Sequence, residues 1–296
     1  MTSRRLHWIG IAAAAAMLGC KSGGGGSPSD GGEGGLLASC PQNTPNDMIS
    51  DFEVDNSIKA VDGRQGGWYT YGDDVGTFAY GGGTGYEVAA EQGNPSCSPH
   101  GALHIKGTGF GQWGAATGVD WKPRPSDGDG GYVDKMTYDA SGYRGVAFWA
   151  KASDILDGVQ VSFPDLYTDN AAPPHEMPAD PDSGAMCTDC KCIYTPGSDY
   201  NCSPFLVQFG LKGDGAVATL FSGYRSVQLN TSWQRIQVLF VDARQDPGNT
   251  GYKPPSRKLT VDKLTAMAIQ VNADYSTGQA KPRDFEIWID DVSFIK

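Results

Sequence analysis

Basic residues are few in this chain of 296: 23 Lys and Arg stand against 34 Asp and Glu, a formal charge of −11. Nucleic acids and polyanionic polysaccharides draw much of their affinity from cationic surfaces, so both are excluded as partners. Histidine is scarcer still, at positions 7, 100, 104 and 175 only, and no Gly-x-Ser-x-Gly elbow accompanies it. No EF-hand loop pattern is present, so the chain is no calcium sensor of that kind. No long stretch repeats with a 3.6-residue period, which argues against a helical fold. Long apolar runs are missing too. The best, "LHWIGIAAAAAML", is too short for a comfortable membrane span.

That run follows Arg4 and Arg5 and has the n-region and h-region of an export signal. It ends in "MLGC", which resembles the lipobox of bacterial lipoproteins. This implies a signal peptide over 1–19 and a lipidated Cys20, with an ordinary signal peptide as the alternative. "KSGGGGSPSDGGEGG" then reads as a flexible tether over 20–39. The folded domain is expected over 40–296, and roughly 250 residues suit one large β domain. Six further cysteines remain, Cys40, Cys97, Cys187, Cys190, Cys192 and Cys202. In an exported chain they read as three disulfides. A Cys190–Cys192 bond would be strained. Cys40–Cys97 is favoured, with the other four closing two bridges among themselves. A four-thiolate zinc site in "CTDCKC" plus Cys202 is the rival.

What the sequence does have is short apolar alternation between turn residues: "MISDFEV", "GWYTYGD", "ALHIKG", "GVAFWAK", "GVQVSFP", "FLVQFG", "WQRIQVLF", "LTAMAIQV" and "DFEIWIDD". Nine or more strands predict an all-β sandwich or barrel. One short helical turn is expected in "TVDKLTA", with Thr260 as its cap. Residues 165–204 hold prolines and four cysteines and read as a long disulfide-rich loop. In the last strand Phe285, Ile287 and Ile289 share one face, but the apolar phase flips to Val292 and Phe294 after Asp290-Asp291. Such a flip predicts a β-bulge.

"MISDFEVD", "GRQGGWYTYGDD", "GTGFGQWGAATGVDW", "RGVAFWAKAS", "TSWQRIQVLF" and "FEIWIDDVSF" occur in that order over 48–296. This resembles the galactose-binding-like β-jelly rolls, which include many carbohydrate-binding modules, and in particular bacterial lipoproteins that carry such a domain alone. The resemblance implies a β-sandwich jelly roll whose first and last strands lie together. It also implies a structural calcium where they meet, for which Asp51, Glu53, Asp290 and Asp291 are the candidate ligands. A solvated turn with surface acids is the alternative.

With Phe285, Ile287 and Ile289 taken as inner, the same alternation makes Trp149, Gln160, Gln208, Gln270, Asn272 and Trp288 outer, beside Lys151, Ser162 and Glu286. Amides both donate and accept, as sugar hydroxyls do, and indole faces suit the C–H face of a pyranose. These residues are therefore expected to line a groove for a neutral glycan such as a β-glucan, mannan or galactan. Tyr69, Tyr71 and Asp73 share another outer face in "GWYTYGD" and are secondary candidates. An outer face covered by the long loop, or an inverted facing, is the alternative. The tight Glu-x-Asp-x-x-Glu strand of one jelly-roll glycosidase family is absent: Trp288 stands where its central acid would be. The expected function is non-catalytic glycan binding by a lipoprotein of the bacterial cell envelope, held to the membrane by lipid alone. Scaffolding of another envelope protein is the second reading, and a glycoside hydrolase or esterase the third.

Overall fold

The computed structural model describes residues 47–80, 85–90, 93, 100–122, 135–169, 205–207, 218–221, 224–244, 258–276 and 278–296. The expected signal segment, the tether with Cys20, the six other cysteines, Gln208 and residues 170–204 of the long loop lie outside them.

In chain order the strands are β1 (Met48–Ser50), β2 (Trp68–Gly72), β3 (Thr77–Phe78), β4 (Tyr86–Ala90), β5 (Gly101–Phe110), β6 (Gly114–Asp120), β7 (Gly145–Ala152) and β8 (Leu156–Phe163). Then come β9 (Phe205–Val207), β10 (Ala218–Phe221), β11 (Tyr224–Leu229), β12 (Gln234–Leu239), β13 (Ala243–Arg244), β14 (Ala266–Asn272) and β15 (Arg283–Ile295). They form two antiparallel sheets. The first runs β12-β7-β15-β5-β3, with β1 on β15 and β4 on β5. The second runs β10-β11-β8-β14-β6-β2, with β9 on β8 and β13 on β9. This is a β-sandwich of the jelly-roll kind.

Period-two alternation builds the core. Val146, Phe148, Ile105, Phe285, Ile287 and Ile289 from the first sheet meet Trp68, Val119, Val159, Val161, Phe163, Met267, Ile269 and Val271 from the second. Truncating one of the fully buried rings to alanine costs about 3–5 kcal/mol. The helical turn expected after Thr260 is a 3-10 turn over Val261–Lys263, and Thr260 makes no side-chain cap bond to it. The Thr260 N–H instead donates to Asp165 Oδ2 at 2.9 Å.

The first and last strands do lie together: Met48 pairs with Ser293 and Ser50 with Val292. The bulge read from the phase flip is present. Opposite β7, Asp290 faces Trp149 but Ser293 faces Ala147, so β15 carries an extra residue there. Asp291 takes a φ of 48°. Aspartate enters this left-handed region at less cost than most residues, and the Asp291 N–H donates to Asp290 Oδ1 at 2.8 Å. Two adjacent acids in a buried strand thus have a backbone explanation: they make the kink that returns Val292 and Phe294 to the core.

Candidate functional site

The register of the second sheet places one row of outward side chains across four strands. Tyr71 pairs with Ala116, Ala116 with Gln270 and Gln270 with Gln160. One pleat along, Tyr69 pairs with Gly118, Gly118 with Ala268 and Ala268 with Ser162. The middle of this face is therefore built from alanine and glycine, with aromatic rings on one side and amides on the other. Tyr71 and Trp113 are 41% and 37% exposed, whereas Gln160 and Asn272 keep only 7% and 6%. The rings stand up as a rim, and the amides are sunk into the floor. Gln270 donates through Nε2 to Asn272 Oδ1 at 2.6 Å.

The aromatic rim is continuous. Tyr69 and Tyr71 have ring centroids 5.9 Å apart, and Tyr71 and Trp113 are also 5.9 Å apart. Tyr275 donates its hydroxyl to the carbonyl of Gln112, the residue before Trp113. The turn that carries Trp113 is fixed by Asp73. Its Oδ2 accepts the Gln112 and Gly114 N–H groups at 2.8 and 3.1 Å, and its Oδ1 accepts those of Val75 and Gly76 at 3.2 and 3.1 Å. Burial alone would raise the pKa of this carboxyl, but the four amide donors outweigh it and hold it below the usual range.

Tyr69 lies down on the sheet. A Cβ at Gly118 would stand 3.4 Å from its Cζ and Oη, in van der Waals contact, and 3.1 Å from the Met267 carbonyl oxygen, so the ring packs directly over this position. Its hydroxyl donates to Asp120 Oδ1 at 2.9 Å. Lys135 Nζ bridges that same oxygen at 2.9 Å and Asp169 Oδ2 at 3.2 Å, and Thr265 Oγ1 donates to Asp169 Oδ2 at 2.6 Å. Burial first, then the Asp120 carboxylate, pushes the Tyr69 phenol far above its ordinary pKa, so it remains a donor.

The structure thus brings together Tyr69, Tyr71, Gln160, Gln270 and Asn272 from the residues expected on sequence grounds. It does not bring Trp149 and Trp288 to them. Both belong to the first sheet and face away on the opposite side of the sandwich. The expectation of one shared groove is corrected accordingly: alternation tells inner from outer within a strand, but not which of two sheets the strand joins. The Trp288 ring is also in use. His104 stacks on it at 4.4 Å and 10°, and Lys151 Nζ lies 4.8 Å from its centroid. His104 is held in turn by Glu87 at 2.8 Å, Glu286 at 3.0 Å and Tyr80 at 2.9 Å. Burial, then Glu87 and Glu286, pushes the Tyr80 phenol up to about 12. Trp149 is 9% exposed.

Nor are the four expected calcium ligands gathered. Asp51 pairs with Lys59 at 2.7 Å. Glu53 Oε1 accepts the His100 and Gly101 N–H groups at 3.3 and 3.2 Å, and Asp290 and Asp291 serve the bulge. Among the described residues no group of three or more His, Cys, Asp or Glu side chains is placed to hold a metal ion.

Sequence reasoning assigned Trp113 to core or loop packing, which its 37% exposure corrects, and passed over Tyr275, Asp120, Lys135 and Asp169. Trp113 sits in a glycine-rich turn with no alternation to assign it a face. Asp120 was legible as the outer position next to Val119. Lys135 and Asp169 come from irregular segments and carried no signal.

No protein-family model matches this chain, and no curated protein matches it in sequence. Solved structures of similar shape include the family 11 carbohydrate-binding module of the cellulosomal cellulase Lic26A-Cel5E of Clostridium thermocellum. It is 12% identical, with 84% of this chain and 92% of that one covered and a TM-score of 0.42. The family 11 module from Clostridium thermocellum in complex with a β-1,3-1,4-mixed-linked tetrasaccharide is 13% identical over 84% and 94%, with a TM-score of 0.41. The family 30 module of the cellulosomal cellulase Cel9D-Cel44B of Clostridium thermocellum is 13% identical over 82% and 98%, with a TM-score of 0.39. No residue assignment is carried over from them.

Proposed function

We propose that this chain binds a neutral glycan without chemical turnover on the outer face of the second sheet. One observation carries the reading: exposed Tyr71, with Trp113 beside it, faces Gln270 and Gln160 across Ala116 in a single register row. A sugar ring stacks its C–H face on the rim, and the amides address its hydroxyls from below. The chain is acidic overall, and Asp120 and Asp169 lie at one end of this face, so uronate-bearing chains are repelled. Glycoside hydrolysis asks for two carboxyl groups flanking a sugar. Asp120 and Asp169 are instead both committed to Lys135, which supports binding without turnover. The lipobox resemblance at Cys20 supports a lipid-anchored place in the bacterial envelope.

The test is affinity electrophoresis of the full chain in gels holding β-glucan, mannan, galactan or a polyuronate. Retardation by at least one neutral chain is expected, together with its loss in Tyr71→Ala and Trp113→Ala. Migration unchanged in every neutral gel, or release of reducing ends on incubation, would overturn the proposal.

A further inference from the structure

The outer face of the second sheet is open at one end and blind at the other. Its row begins on the edge strand β2, where Tyr71 keeps 41% of its surface exposed. It passes Ala116 on β6 and Gln270 on β14 and reaches Gln160 on β8. Three inter-strand steps make roughly 14 Å, the length of about three β-linked pyranose rings. At the β8 end Gln160 and Ser162 each retain only 7%. Beyond them β8 is flanked by β11, where Val227 pairs with Val159, and by β9, where Leu206 pairs with Ser162. Ser226, the β11 residue next to Val227, is fully buried. The sheet goes on past β8, but among the described residues the accessible face does not.

The blind end carries polar groups that the fold leaves unanswered. Among the described residues neither the Gln160 amide nor the Ser162 hydroxyl makes a protein hydrogen bond. Their neighbours differ. Gln270 and Asn272 are bonded to each other, and Tyr69, Asp120, Lys135, Asp169 and Thr265 form one network. A polar side chain held nine-tenths out of water without a protein partner is costly. A ligand hydroxyl removes that cost, since it both donates and accepts as the amide requires.

We infer that this face takes the end of a neutral glycan chain, with the terminal ring against Gln160 and Ser162 and the following rings running out over Tyr71 and Trp113. The inference rests on the glycan reading above. An internal stretch of polysaccharide has to leave the face at both ends, and the β8 end is closed to it. A terminal ring also carries a hydroxyl that an internal ring has lost to its glycosidic bond. Gln160 and Ser162 stand where that hydroxyl arrives. Reducing and non-reducing termini share this chemistry.

The test is titration calorimetry of the full chain with β-glucan, mannan and galactan, each before and after limited acid hydrolysis. Hydrolysis multiplies chain ends at constant mass of sugar. For a polymer that binds, a ten-fold gain in ends should raise the number of sites per gram about ten-fold. Borohydride, which opens the reducing-end ring, should abolish binding if that terminus is read and spare it if the other is. Gln160→Leu should weaken binding at least ten-fold while melting holds or rises, because an unanswered amide gives way to an apolar group of similar size. Sites per gram that ignore hydrolysis would refute the inference and leave glycan binding itself standing. A fall of several degrees in the melting of Gln160→Leu would refute it too, since the amide would then belong to the fold. Absence of binding to all three polymers would overturn the glycan reading and this inference with it.

Discussion

Asp73 links stability to the glycan face, and Asp73→Asn isolates that link. The substitution keeps size and shape but replaces one carboxylate oxygen with an NH2 group. Two of the four backbone donors, from either the Gln112–Gly114 pair or the Val75–Gly76 pair, then face a donor. A hydrogen bond to a charged acceptor contributes about 1.5–3 kcal/mol, and a stranded buried donor costs a similar amount. Two lost bonds at the low end of that range give about 3 kcal/mol. For a domain of this size that corresponds to roughly 6–12 °C in melting temperature. The sign of the pH dependence follows from the lowered folded pKa. The stabilisation is present above the unfolded value, about 3.9, and disappears as pH falls through the lower folded value. Urea unfolding at pH 7 should therefore separate wild type from variant, and the gap should narrow as pH falls through the lowered folded value. Because the same amides fix the Trp113 turn, glycan affinity at pH 7 should fall in the variant too. A gap below 0.5 kcal/mol, or one that is constant with pH, would show that Asp73 is not the clamp described.

Trp288→Ala should destabilise the protein by about 3 kcal/mol and leave glycan retardation intact, because the ring is packed between His104 and Lys151 on the far sheet; loss of retardation without loss of stability would reverse that placement. Treatment with a chelator should leave the melting temperature unchanged, since Asp51 and Glu53 already hold Lys59 and the His100–Gly101 amides; a fall of several degrees would show that these acids take a cation in solution. Gly118→Val should lift the Tyr69 ring and weaken glycan binding more than it weakens the fold, measured by paired affinity gels and urea curves. Cys20→Ser should release the protein from membranes or leave the precursor unprocessed, and unchanged mass and fractionation would count against the anchor.

Nine of the fifteen strands were legible because their alternation carries a period-two signal, whereas β3, β4, β6, β10, β11 and β13 fell outside the alternating runs. Val159, Val161 and Phe163 need no partner to show which way they point. The bulge was legible for the same reason: a phase flip is a local event, and Asp291 supplies the φ it requires. Sheet membership is different. Trp149 and Gln160 are eleven residues apart and both point outward, yet β7 and β8 join opposite sheets. The chain crosses between the sheets over Ser153–Ile155, and nothing in those three residues marks the crossing. An outward set compiled across strands therefore mixes two surfaces. The sorting signal lies in the size of the side chains between them. Ala116, Gly118 and Ala268 make a low floor that amides and rings can border, whereas on the other face His104 and Lys151 occupy Trp288. Small residues at outward positions of central strands lack an apolar reason to be small. In this sandwich they mark the side on which glycan binding is proposed.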